Sequence, residues 1–209
     1  TVTSKSFFEI RRSPFVCDAW NHPGIRWIAF QLGASSPGKA WDPESWAKLA
    51  SMILRRHDDT RIVLLGGSAE KEFEKEFFEA LRKEEKATGS PSALFGKRLH
   101  SKVGKTSFDE WTQILADAQW VVSADTAAVH LASVLGTRVL NLSVGPVRFR
   151  ETGPYGNGHY VVRPSAGPLS AEAAYSTWTY ASTEWQHRRE LPFSEHLRNL
   201  ESSELSGKI

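Results

Sequence analysis

The side chains of this sequence that could do chemistry gather just after apolar runs. Ser35, Ser36 and Lys39 stand in "GASSPGKAW", and Glu70 follows "LLGG". Asp125, Thr126 and Ala127 follow "WVVSA", with His130 one helical turn beyond Thr126. Two hydroxyls and an ammonium at the spacing of Ser35, Ser36 and Lys39 suit a diphosphate, because each supplies a donor and the lysine supplies charge. The stretch nearly spells the Gly-x-x-x-x-Gly-Lys of a nucleotide-triphosphate loop, but Ala40 stands where the magnesium-binding hydroxyl belongs. In such a loop the helix has already begun at the lysine, whereas Asp42 and Pro43 start it about three residues later here. Pro37 also lacks an amide for the cradle. The chemistry expected is therefore neutralisation of a diphosphate without an essential metal. A dinucleotide site is disfavoured, since no Gly-x-Gly-x-x-Gly follows any strand.

Taken singly, each residue has a plainer role. Asp125 or Thr126 could cap a helix, and Glu70 would sit well against a helix dipole. His130 alone could be a packed histidine and Lys39 an exposed lysine. Only the set as a whole points to a ligand.

The elements that must position the set follow from periodicity. "IRWIAFQL", "RIVLLGG", "QWVVSAD" and "TRVLNLSVG" are short apolar runs bounded by turn residues, and they read as buried strands. Between them, "WDPESWAKLASMILRRH" has an Asp42 cap, Pro43 in the first turn and an apolar stripe of Trp46, Leu49, Ala50, Ile53 and Leu54. A second helix opens near Ser68 with Phe73, Phe77 and Leu81 spaced by turns, its Glu and Lys residues forming a solvated face. Ser107 and Glu110 form a capping box ahead of Trp111, Ile114 and Leu115. "TAAVHLASVLG" reads as a helix ended by Gly136, while "ALFGKRLHSKVGK" holds at most a short strand. The βαβαβ alternation predicts an α/β fold, a Rossmann-like parallel sheet with helices on both faces. After Gly145 comes a long Gly-, Pro- and Arg-rich loop and a last strand near "HYVV". In such sheets ligands bind beyond the carboxyl ends of the strands, where all the singled-out residues fall.

Composition narrows the classes. The chain has 209 residues, a net charge of +2 and 40% hydrophobic residues, which fits one globular domain with extensions and gives no nucleic-acid signature. Cys17 is the one cysteine, so an intrachain disulfide is excluded and a reducing compartment fits best. Asp117, Asp125 and His130 interrupt the longest apolar stretch, short of the ~20 residues a membrane span needs. The polar beginning has no apolar core of signal-peptide length and reads as a chain entered midway.

Together, "GASSPGKAWDPESWAKLA", "IVLLGGSAE", "GKTSFDEW", "VVSADTAAVHLASVLGTRVLNLSVGP" and "TGPYG" resemble, in order and spacing, the C-terminal half of the heptosyltransferase family of GT-B glycosyltransferases, which build the lipopolysaccharide inner core. The likeness runs from Ile25 to Val162. It implies that this half binds a nucleotide sugar, typically ADP-heptose, as substrate and without a metal cofactor. Ser35, Ser36 and Lys39 would hold the diphosphate, Glu70 the ribose, and Asp125, Thr126, Ala127 and His130 the phosphate and sugar end. The catalytic base and the site for a glycan or glycolipid acceptor would belong to an N-terminal half, so this chain alone is expected to be inactive. Residues 1–24 would then be a linker, 25–164 the donor domain, and 165–209 a helical tail packing back toward that half. The expected location is cytoplasmic, at most peripheral to the inner membrane.

The sequence departs from the family pattern at three places. Ala127 replaces a glycine, Gln31 and Leu32 stand where His-Pro is common, and Ala40 replaces a basic or polar residue. Two alternatives stay open: an enzyme of the same fold using a UDP-sugar, and a nucleotide-sugar-binding domain without catalysis.

Overall fold

Strands covered on both faces by helices carry apolar side chains in both directions, which is why the runs read from the sequence are nearly continuous rather than alternating. The computed structural model describes residues 24–34, 37–89, 93–145, 149–164 and 167–190. In it the runs become β1 (Arg26–Gln31), β2 (Thr60–Leu65), β4 (Trp120–Ser123) and β5 (Arg138–Leu142), joined by β3 (Leu99–Ser101) and β6 (Tyr160–Val162). All pair in parallel, in the order β3-β2-β1-β4-β5-β6. The chain thus winds outward from β1 in one direction, then returns to β1's other side at β4. That reversal opens a crevice at the carboxyl ends of β1 and β4.

The helices are α1 (Pro43–Arg56), α2 (Lys71–Thr88), the single turn α3 (Ala93–Gly96), α4 (Phe108–Asp117), α5 (Ala127–Val134), the single turn α6 (Phe149–Thr152) and α7 (Ala171–Glu190). The starts of α1 and α4 are those the sequence predicts, whereas the helix expected to open at Ser68 begins at Lys71, after a 3-10 turn over Ser68–Glu70. Asp42 accepts from the Ser45 amide at 2.7 Å with Pro43 in the first turn of α1. Ser107 and Glu110 form the reciprocal box at α4. "ALFGKRLHSKVGK" resolves into α3 followed by β3, a strand of three residues at the sheet edge.

Parity along β1 divides the core. Ile28, Phe30 and Leu32 point to the face covered by α1, α2 and α7, where Trp46, Phe77 and Trp178 are fully buried. Trp27 and Ala29 point to the other face, against Ile114 and Leu115 of α4 and Val129 and Ala132 of α5. Each such large apolar side chain contributes about 1.5–3 kcal/mol by leaving water.

Helix α7 shows how a weak pattern can still bury a helix. Ala171, Ala174, Trp178 and Ala181, spaced three and four apart, are all buried in the α1 cluster. The Trp41 indole Nε1 donates to the Leu169 carbonyl at 2.8 Å, and Lys48 pairs with Glu172 at 2.5 Å. Three alanines and one tryptophan make a narrow stripe, so the segment reads as poorly amphipathic although its first turns close this domain's own core. Residues 191–209 and the lead-in 1–23 lie outside the described residues. Among those described, no helix is long and apolar enough to cross a membrane.

Candidate functional site

Lys39 ends a short 3-10 turn, Pro37–Lys39, just after β1, and Asp125 lies two residues past the end of β4. Their strands are neighbours, and the Lys39 Nζ donates to Asp125 Oδ2 at 3.1 Å. Asp125 is 8% exposed and Lys39 33%, so the carboxylate is fixed inside the crevice while the ammonium keeps a face to solvent.

The cap of α5 decides what Asp125 is free to do. Thr126, not Asp125, is the N-cap: its hydroxyl accepts from the Ala128 amide at 3.2 Å. The Thr126 hydroxyl also bonds the buried Ser123 hydroxyl at 2.8 Å, and the Asn141 amide donates to the Ser123 carbonyl at 3.4 Å. These bonds tie the β4–α5 turn down from below, leaving the Asp125 carboxylate for Lys39. Ala127 opens the helix and is exposed. Among the described residues only glycines have positive φ, so the methyl at Ala127 costs no backbone strain.

His130, one turn into α5, packs against Tyr155 of the "TGPYG" loop with ring centroids 5.5 Å apart. Its Nδ1 is enclosed with no hydrogen-bond partner among the described residues.

Glu70 arrives from the next strand end. It closes the 3-10 turn Ser68–Glu70, and its Oε2 accepts from the Gly67 amide at 2.7 Å. The carboxylate also lies across Gly33: a Cβ there would come within 2.5 Å of Glu70 Cγ. Gly33 thus lets the loops after β1 and β2 touch. On the other side, a Cβ on Gly145 would stand 2.0 Å from the Gly38 carbonyl oxygen, so the loop after β5 rests directly on the turn that carries Lys39.

Beyond Glu70 lies a cavity of about 450 Å³ at the carboxyl ends of β1 and β2 and the start of α4. Gln31, Gly66, Gly67, Thr106, Phe108 and Trp111 line it. None of these was singled out from sequence as a site residue; the available signal was "GKTSFDEW" following β3. Lys39, Asp125, Thr126 and Ala127 therefore surround one crevice, Glu70 lies at the neighbouring β2 end against Gly33 and Gly67, and His130 stands a turn further along α5. Ser35 and Ser36 lie outside the described residues. The arrangement offers an ammonium and helix-start amides to an anion at one end, and an uncharged, partly aromatic hollow at the other.

Residues 16–175 match glycosyltransferase family 9 (heptosyltransferase). The chain belongs to glycosyltransferase family 9. Solved structures with this fold include the ADP-heptose lipopolysaccharide heptosyltransferase II of E. coli, with a TM-score of 0.66 and 20% identity over 79% of this chain and 49% of that one. The E. coli heptosyltransferase WaaC, solved with ADP, has a TM-score of 0.60 and 23% identity over 77% and 46% of the two chains. A family 9 glycosyltransferase from Veillonella parvula has a TM-score of 0.63 and 17% identity, covering 80% and 52%. This family 9 chain spans about half the length of those structures. Among curated protein sequences no significant match was found. The Rossmann-like sheet expected for one half of a GT-B enzyme is the fold this family member has.

Proposed function

We propose that this chain is the donor-binding part of a family 9 glycosyltransferase, taking a sugar linked to a nucleoside diphosphate, with ADP-heptose the leading candidate. The observation that carries the reading is the Lys39–Asp125 contact across the β1/β4 switch point, 3.1 Å between Nζ and Oδ2. An ammonium has three donors, so Lys39 can keep Asp125 and still offer two to a diphosphate. Thr126 and Ala127 add helix-start amides beside it, and the hydroxyls of Ser35 and Ser36 belong to the same loop. Glu70 would accept from ribose hydroxyls, with the base in the hollow beyond it. Asp125 and His130 would then face the sugar.

When the bond between the sugar and the diphosphate oxygen breaks, negative charge grows on the departing diphosphate. Groups already aimed at that oxygen lower the barrier without further reorganisation, and Lys39 with the α5 amides fills this role with no essential metal. The acceptor hydroxyl needs a general base, which we assign, with the glycan or glycolipid acceptor site, to a separate N-terminal half. On this reading the chain by itself binds donor and transfers nothing, and the whole enzyme works in the cytoplasm, at the inner membrane's periphery when its acceptor is a glycolipid. The domain that does so runs from about residue 25 through the first turns of α7, whose Ala171, Ala174 and Trp178 lie in its core, and only the segment beyond would reach toward the other half.

Calorimetry with ADP and UDP tests the assignment. ADP binding with weaker UDP binding is expected. Clear UDP affinity without ADP affinity would replace it with a UDP-sugar enzyme, and affinity for neither would remove the nucleotide site.

A further inference from the structure

Gln31 is the last residue of β1 and follows Trp27 and Ala29 in parity, so it emerges on the α4 face of the sheet, at the rim of the cavity. The Trp111 indole Nε1 donates to its Oε1 at 2.9 Å. An indole N–H can only donate, so the atom facing Trp111 must be the amide oxygen, and the orientation of the whole amide follows. The Gln31 nitrogen then turns away from α4. One of its two N–H groups reaches the Leu32 carbonyl at 3.3 Å, and the other has no partner among the described residues. Besides glycines, the neighbouring cavity walls are Ser68, Thr106, Ser107, Phe108 and Trp111, none of them charged. A single oriented amide donor in a neutral hollow favours an uncharged ligand portion that presents one acceptor there.

We infer that Gln31, held in orientation by Trp111, donates a hydrogen bond to the nucleobase of the bound donor and so helps set which nucleotide the site accepts. This rests on the proposed function. The two residues act as a pair: Gln31 makes the contact, and Trp111 positions it by excluding the flipped amide, which would present oxygen instead. Glu70 lies against Gly33 and Gly67, at the ends of β1 and β2, and on the proposed reading it takes the ribose that links base to diphosphate.

The test compares the unmodified chain with Gln31→Met, which keeps length without the amide, and Trp111→Phe, which keeps an aromatic wall without the N–H. Affinities are measured for ADP, UDP and inorganic pyrophosphate, with the thermal midpoint of each variant. About a tenfold loss of ADP affinity in each variant is expected, the worth of one well-made hydrogen bond. The double variant should lose little more than either alone, and pyrophosphate affinity should stay within twofold. The ADP-over-UDP preference should narrow. Unchanged ADP affinity in both variants overturns the inference while leaving the proposed function standing, and so does an equal loss for pyrophosphate, which would mark general damage to the site. An unmodified chain that binds pyrophosphate but no nucleotide overturns both.

Discussion

Lys39 and Asp125, 86 residues apart in sequence, meet at 3.1 Å where the sheet reverses direction, with Asp125 only 8% exposed. The pair fastens the loop after β1 to the loop after β4. Lys39→Ala should lower ADP affinity at least tenfold, since a hydrogen bond to a charged group is worth about 1.5–3 kcal/mol. It should also destabilise the fold by about 1–2 kcal/mol, less than for a fully buried pair because the lysine keeps one face in solvent. Asp125→Asn in that background should recover most of the stability but none of the affinity. Urea titrations and calorimetry on the two variants check both halves.

Gly145→Ala strikes the same turn from the opposite side. The new Cβ would collide with the Gly38 carbonyl oxygen, and the residue has φ of 74°, a conformation unfavourable to side chains. A loss of about 1–3 kcal/mol in stability is expected, together with weaker ADP binding as the turn and Lys39 shift. Wild-type ADP affinity in a folded Gly145→Ala chain would contradict the packing described.

Glu70→Ala removes the carboxylate that accepts from the Gly67 amide. Because that site is partly solvated, stability should change by less than about 1 kcal/mol. ADP affinity should fall several-fold and pyrophosphate affinity should not, placing the lost contact at the ribose. Equal losses for the two ligands would place Glu70 at the phosphates instead.

Acid should weaken the fold through His57. Burial is the main cause that lowers its pKa, with the Arg26 charge second, and the ring meets the Tyr175 hydroxyl at 3.1 Å and the Trp178 ring at 4.8 Å. Arg56 and Arg98 lower it further, while Asp59 acts in the opposite sense. The folded state therefore binds the proton less readily than the unfolded chain, whose histidines titrate near pH ~6.5. The contribution is complete above that pH and is lost as pH falls below it toward the depressed folded value. His159, also lowered chiefly by burial, adds to the same slope. His57→Gln should flatten the fall in unfolding free energy as pH drops below about 6.5; an unchanged slope would refute this account.

Trp178→Ala should cost about 3–5 kcal/mol, as for other large-to-small changes in a closed core. Its side chain is fully buried against α1. Ending the chain at residue 164 should be at least as damaging, with a lost unfolding transition as the readout.

What the sequence determined by itself was local. Hydrophobic period gave β1, β2, β4 and β5 and the faces of α1 and α4, because a side chain's direction repeats every two residues in a strand and every 3.6 in a helix. Caps at Asp42 and Ser107 were legible for the same reason, since donor and acceptor lie three residues apart. The crevice residues Lys39, Glu70, Asp125 and His130 could be chosen because strand ends could be chosen. The tertiary structure alone decided which of two adjacent candidates, Asp125 or Thr126, capped α5 and which faced the crevice. It also decided that α7 fills the α1 core on one tryptophan and three alanines, and that Gln31 meets Trp111 across 80 residues. Such contacts depend on strand order and on which glycines let two loops touch, and neither leaves a periodic trace along the chain.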